Sequence, residues 1–208
     1  MSAPRYQRRK EDRPAEITAA AFEAFADKGY AATRVEEVAQ RAGISKGLMY
    51  LYFKTKEELF KAVIRSVVGR RLDALIDIVE NTESSAEDLL RGQVAGFLKQ
   101  IPGSPVAIVV RLLISEGPRH PDLVDAYWDN VVSKGLGAIR QVIERGVERG
   151  EFRKTAVAEL PQLFLAPVML SMIWRLLFAE RELDTDKFID TQIDMIMTYI
   201  KSMSGARQ

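Results

Sequence analysis

The residues with the clearest chemistry lie at positions 33–56, where cations, phenols and a glycine alternate with apolar side chains. Lys46 and Lys56 can each meet a phosphate oxygen, and the hydroxyls of Tyr50 and Tyr52 can donate to one. Such contacts hold a protein on a duplex without reading its sequence. Thr33 and Arg34 add a hydroxyl and a guanidinium just upstream. Gly47 and Leu48 permit close approach to a base edge, and Leu51 can meet a thymine methyl. The chemistry is therefore recognition of double-stranded DNA, with positioning and reading groups in one run.

Little elsewhere is equipped for catalysis. The chain has no cysteine, and His120 is its only histidine. That excludes thiol chemistry, a histidine-rich metal site and a histidine-based triad within one chain. Asp73 and Asp77 lie four apart on one helix face, but no third carboxylate stands with them, so a solvated face is the simpler reading than a cation site. No glycine-rich phosphate loop occurs. No cofactor, metal or enzymatic activity is expected. Residues 1–13 carry Arg5, Arg8, Arg9, Lys10 and Arg13 with no apolar run, so no secretory signal is read there. The most apolar stretch, residues 163–174, is interrupted by Pro167 and is too short to span a bilayer. A cytoplasmic location follows as the expectation.

The elements that must carry the DNA-facing residues are helices. Pro14 suits the first turn of an N-terminal helix, with Ile17, Ala20, Ala21, Ala24 and Phe25 on its apolar face and Gly29 as its stop. Thr33 with Glu36 reads as a capping box for the next helix, along which Val35, Val38, Ala39 and Ala42 share a face. Gly43 ends it, Ser45 caps its successor, and Met49 and Phe53 anchor that successor to the core. Two short helices joined by a tight turn, the second about as wide as a DNA groove, make a helix-turn-helix. Thr55 with Glu58, and later Ser84 with Glu87, read as further capping boxes.

At this point the sequence resembles the TetR family of bacterial transcriptional regulators. The residues that carry the resemblance are Phe25, Lys28, Gly29, Tyr30, Thr33, Val38 and Ala39, then the run Ala42-Gly43-Ile44-Ser45-Lys46-Gly47. Tyr50, Tyr52, Phe53 and Lys56-Glu57-Glu58-Leu59-Phe60 complete it. A weaker likeness to the ligand-binding part of such regulators covers residues 114–121 and 142–146. The resemblance implies an all-α chain with a three-helix helix-turn-helix domain followed by a larger helical ligand-binding and dimerisation domain. The expected divisions are a basic flexible arm over 1–13, the DNA-binding domain over 14–60 and the larger domain over 61–208. It implies a homodimeric repressor, released from a palindromic operator by a small molecule.

Periodicity keeps the rest of the chain helical to its end. The final two helices, near 155–180 and 184–203, carry Leu163, Leu170, Leu177, Phe188, Ile193, Ile196, Met197 and Ile200. Read alone, these are a protomer core; the resemblance makes them a four-helix contact between two chains. Phe97, Tyr127, Trp128, Met169 and Ile173 could line an apolar pocket, although for each of them burial in an ordinary core is the plainer reading. Arg111, Ser115, Glu116 and Asn130 could orient a bound molecule, which the lining would make apolar or aromatic.

Charge agrees with this division. Thirty basic residues face twenty-nine acidic ones overall. Through residue 61 there are twelve against nine, and after it eighteen against twenty, so the basic excess falls on the helix-turn-helix. Two rival readings remain at this level. One is a ligand-insensitive DNA-binding regulator of the same fold; the other is a helical small-molecule-binding protein or enzyme.

Overall fold

The computed structural model describes residues 5–201, with side chains described from residue 13 onward. In chain order its helices are α1 (Arg5–Lys28), α2 (Val35–Arg41), α3 (Lys46–Tyr52), α4 (Lys56–Ile64), α5 (Arg70–Asn81) and α6 (Ala86–Asp88). There follow α7 (Ala95–Gln100), α8 (Pro105–Glu116), α9 (Pro121–Tyr127), α10 (Ser133–Glu148), α11 (Gln162–Leu177) and α12 (Thr185–Ile200). Three of the joins are π-helical turns: Arg65–Gly69 carries α4 into α5, Leu89–Val94 carries α6 into α7, and Trp128–Val132 carries α9 into α10. Among the described residues there is no strand, only one antiparallel bridge between Phe152 and Lys201. The all-α expectation holds.

Two compact units emerge, one from the residues up to Arg70 with Ile108–Asn130, the other from Arg71–Ala107 with Val131 onward. This differs from the expected break after residue 60. The helix begun at Lys56 runs on through the π turn without a stop signal, and α9 packs on α4, which brings residues 108–130 into the first unit.

The first unit is built on α1. Ile17, Ala21 and Phe25 are fully buried on it, and Ala20 and Ala24 nearly so. The small alanines let α2 and α4 approach, and the aromatics fill what remains. Phe25, Tyr30 and Phe60 form a triangle with ring centroids 5.3–5.5 Å apart, two of the three contacts edge-on. Rings so arranged gain about 0.5–1.5 kcal/mol per pair beyond their buried area. Gly29, at φ 82°, and Gly43, at φ 64°, end α1 and α2 in the left-handed conformation that glycine adopts without strain.

The start of α1 differs from expectation. The helix begins at Arg5 and Pro14 lies inside it. Residues 5–13 are Arg, Lys, Glu and Gln-rich, all good helix formers, and they extend the helix upstream of the proline. The expected flexible arm is therefore helical from Arg5, and its residues 1–4 lie outside the described residues.

In the second unit α5, α6–α7, α10, α11 and α12 bury Leu72, Leu90, Val142, Phe164 and Ile193 with their neighbours. Phe152 packs onto Gly146, where a side chain would collide with the ring and with Ala86. Gly150, at φ 74°, makes the reversal that brings Phe152 back. Glu151 then accepts from the Ala86 N–H at 2.7 Å and caps α6, whose own cap is Ser85 rather than the expected Ser84. Helix α11 begins later than expected, because turns occupy the residues before Gln162.

Candidate nucleic-acid interface

Helix α3 is held by its ends and by one face. Ser45 Oγ accepts from the Leu48 N–H at 3.2 Å, as expected of an N-cap. The Ile44 N–H donates to Ala39 O at 3.0 Å, which closes the turn after α2. Met49 is fully buried and Phe53 half-buried, so both anchors lie where helical spacing puts them. What remains outside is Lys46, Gly47, Tyr50 and Leu51, with Leu48 and Tyr52 half-buried beside them. Leu51 is 80% exposed and Tyr50 40%. A side chain at Gly47 would meet nothing within 4 Å, so this face is open.

Lys46 is not idle. Its Nζ lies 2.6 Å from Glu36 Oε1 on α2 and 5.9 Å from the Tyr50 ring centroid. The hydrogen bond from Lys46 holds the Glu36 carboxyl below its ordinary value, and the same bond raises Lys46. Both groups are exposed, so the pair is a solvated one that a stronger anion can replace.

Two residues expected to touch phosphate have other partners. Thr33 is buried, and its Oγ1 donates to Gly29 O at 2.7 Å and lies 3.1 Å from Ala24 O. It ties off the C-terminal carbonyls of α1 and does not cap α2. That cap falls one residue later on Arg34, whose N–H donates to Glu37 Oε2 at 3.4 Å, so the expected pairing of Thr33 with Glu36 is corrected to Arg34 with Glu37. Lys56 Nζ donates to the carbonyls of Tyr30, Ala31 and Thr33 at 2.9, 3.2 and 3.2 Å and sits 4.4 Å from the Tyr30 ring centroid. A cation so placed gathers the carbonyls of the turn after α1 and fixes the entry to α2. Arg34 is exposed, as expected of a residue that meets DNA.

The residues expected to hold a ligand are divided between the units. Arg111, Ser115, Glu116, Tyr127 and Trp128 belong to the first, Phe97, Met169 and Ile173 to the second. Arg111 donates to Ala26 O at 3.2 Å and Ser115 Oγ to Leu112 O at 3.1 Å, so both have structural partners. One carboxylate oxygen of Glu116 is buried without a partner. Burial pushes the Tyr127 phenol up to about 12. Trp128 is half exposed and Phe97 half-buried, while Met169 and Ile173 lie on an exposed face of α11. His120 stands at the N-cap of α9 with its ring 5.0 Å from that of Tyr30.

The expected dimer residues divide too. Leu163, Leu170 and Leu177 are exposed on α11, together with Met169, Ile173 and Leu176. Phe188 on α12 is half-buried. Ile193, Ile196, Met197 and Ile200, expected at the interface, lie instead in the protomer's own core, where each is at most 5% exposed. The bare stripe of α12 is instead Met195 and Tyr199, four residues apart and more than half exposed. Sequence periodicity missed them because α12 carries apolar residues on two faces, and the more aliphatic one faces inward.

Known proteins agree with this architecture. Residues 17–63 match the model for bacterial regulatory proteins of the tetR family, and residues 79–196 match the tetracyclin repressor-like C-terminal domain. The fatty acid metabolism regulator protein of Bacillus subtilis is 26% identical over 148 residues, 70% of this chain and 74% of that one. The HTH-type transcriptional repressor AcnR of Corynebacterium glutamicum is 28% identical over 161 residues, 77% of this chain and 80% of its own. The crystal structure of the regulator FadR from Bacillus subtilis in complex with stearoyl-CoA superposes with a TM-score of 0.73 at 19% identity, covering 88% of this chain and 97% of that one.

Proposed function

This chain belongs to the tetR family of bacterial regulatory proteins, and from that premise we propose that it is a homodimeric repressor, released from a two-fold operator by a small apolar molecule. The observation that carries the DNA half is the free face of α3, where Lys46, Tyr50 and Leu51 stand exposed on a helix whose opposite side is pinned by Met49. Arg34, Lys46, Tyr50 and Tyr52 position the domain through phosphates; Gly47, Leu48 and Leu51 lie against base edges. Thr33 and Lys56 act behind them by shaping the turn into α2. A second copy covers the bare faces of α11 and α12, which gives the two half-site readers that a helix-turn-helix protein uses.

The effector reading rests on a different observation. Ser171 is fully buried on α11, between Pro167, Val168 and Met172, and its hydroxyl has no hydrogen-bond partner. An unpaired buried hydroxyl costs about 1–3 kcal/mol, a cost that a bound polar group removes. An apolar molecule with one polar end is the class of effector that would pair this hydroxyl, and a relative regulates fatty acid metabolism while a structural neighbour carries stearoyl-CoA. Release follows only if the molecule binds the non-operator state more tightly than the operator-bound one.

The test is direct. The protein is used to select duplexes from a random pool, and the selected duplex is then titrated in the presence of fatty acids, their coenzyme A esters and aromatic hydrophobes. A preferred two-fold duplex that at least one such compound displaces is the expected result. A preferred duplex that none displaces leaves the ligand-insensitive regulator, and a preferred duplex whose binding recruits polymerase makes the protein an activator.

A further inference from the structure

We propose that Leu51 is a base-reading residue, and that the group it reads is the 5-methyl of a thymine in the major groove. This rests on the DNA-binding reading above and specifies what that surface recognises. At 80% exposure Leu51 is the barest of the large apolar side chains among the described residues. It stands on a seven-residue helix whose only other fully open positions are a lysine, a glycine and a phenol.

The surroundings decide what kind of surface covers it. Lys46 at one end of α3 and Lys54 just past the other are both exposed; no acidic residue lies between Glu37 and Glu57 in sequence, and Glu36 of α2, which reaches this surface, is paired with Lys46. An apolar protein partner gains nothing from that setting; a polyanion does. One turn before Leu51, Gly47 leaves a gap through which the helix backbone can approach, since no atom lies within 4 Å of where its side chain would be. A seven-residue helix is about 10 Å long, and the major groove that would receive it is about 12 Å wide. Within that groove the bases present hydrogen-bonding atoms and a single aliphatic group, the thymine methyl. An exposed leucine tip flanked by phosphate-seeking groups has that methyl as its matching partner. Against cytosine the same tip would cover an amino group and leave it unpaired, so the contact also discriminates.

The experiment uses the full chain and the duplex it selects from a random pool. Each thymine of that duplex is replaced singly by uracil, which deletes the methyl and keeps every hydrogen-bonding atom. One symmetry-related pair of positions should weaken binding by about fourfold per half-site, the worth of one buried methyl. With Leu51→Ala the same replacement should be silent, while preferences at the other positions persist. Leu51 packs against little of its own chain, so this variant keeps its fold, which circular dichroism checks. Wild-type protein indifferent to uracil at every position overturns the proposal, and so does a Leu51→Ala protein that remains sensitive. A pool that yields no preferred duplex removes the DNA-binding reading itself, and the Leu51 assignment with it.

Discussion

Two lysines of the same motif have opposite surroundings, and this separates their roles. Lys46 is exposed and paired with Glu36 across an open surface, whereas Lys56 donates to three carbonyls beneath the turn into α2. Lys46→Ala should therefore weaken binding to duplexes of all sequences and lower the slope of log affinity against log salt by about one phosphate's worth. Lys56→Met should weaken binding without that change in slope, and should also lower the melting temperature. Equal slope changes in both variants would return Lys56 to the phosphate contacts. Glu36→Gln should have the reverse effect of Lys46→Ala, raising affinity for unrelated DNA two- to threefold at low salt, by roughly the worth of one exposed ion pair. Titration of a phenol gives a further residue-level test. Burial pushes Tyr127 up to about 12, so its contribution to stability is complete below the ordinary phenol value of about 10 and is lost as pH rises through the folded value. Tyr127→Phe should flatten the alkaline limb of a plot of stability against pH, and an unaltered limb would place the alkaline transition elsewhere.

At the scale of elements, the parts that stood out in the sequence were those marked by residues with one conformational purpose. Gly29 and Gly43 end their helices as expected, both in the left-handed conformation, and Ser45 caps α3. Caps were less legible where two candidates adjoin. Thr33 and Ser84 each stand beside the residue that takes the cap, because a tertiary partner decides the register: the α1 carbonyls claim Thr33, and Glu151 reaches α6 from 65 residues away in sequence. The π turns went unread, since each spans only five or six residues, too few to set a periodicity of its own beside the helices on either side. Facing was hardest for α12, where Ile193 and Met195 are two residues apart and point to opposite fates. Ile193→Asp should unfold the second unit, as a charge placed in an apolar core does. Met195→Asp should leave far-ultraviolet dichroism intact. If Met195→Asp unfolds the protein and Ile193→Asp does not, the facing of α12 is wrong.

For the whole molecule the decisive feature is that α11 is apolar on two opposite sides. One side, with Phe164, Val168 and Met172, is buried in the protomer, and the other, with Leu163, Leu170, Ile173 and Leu177, is bare. A stable monomer rarely leaves so continuous a patch in water, and the stripe of Met195 and Tyr199 on α12 adds to it. Under the proposed dimerisation, two such helices from each of two copies would form a four-helix contact, and folding and association would become one equilibrium. The melting temperature should then rise with protein concentration, each tenfold increase adding about 1.4 kcal/mol of apparent stability. Leu170→Asp should abolish this dependence and give a monomer in sedimentation. It should retain the weak binding of a single α3 to half-site duplexes and lose the tight binding to the full operator, because two linked half-sites contribute through effective concentration. A melting temperature independent of concentration, in a protein that sediments as a monomer, would mean that the bare face of α11 meets something other than its own copy.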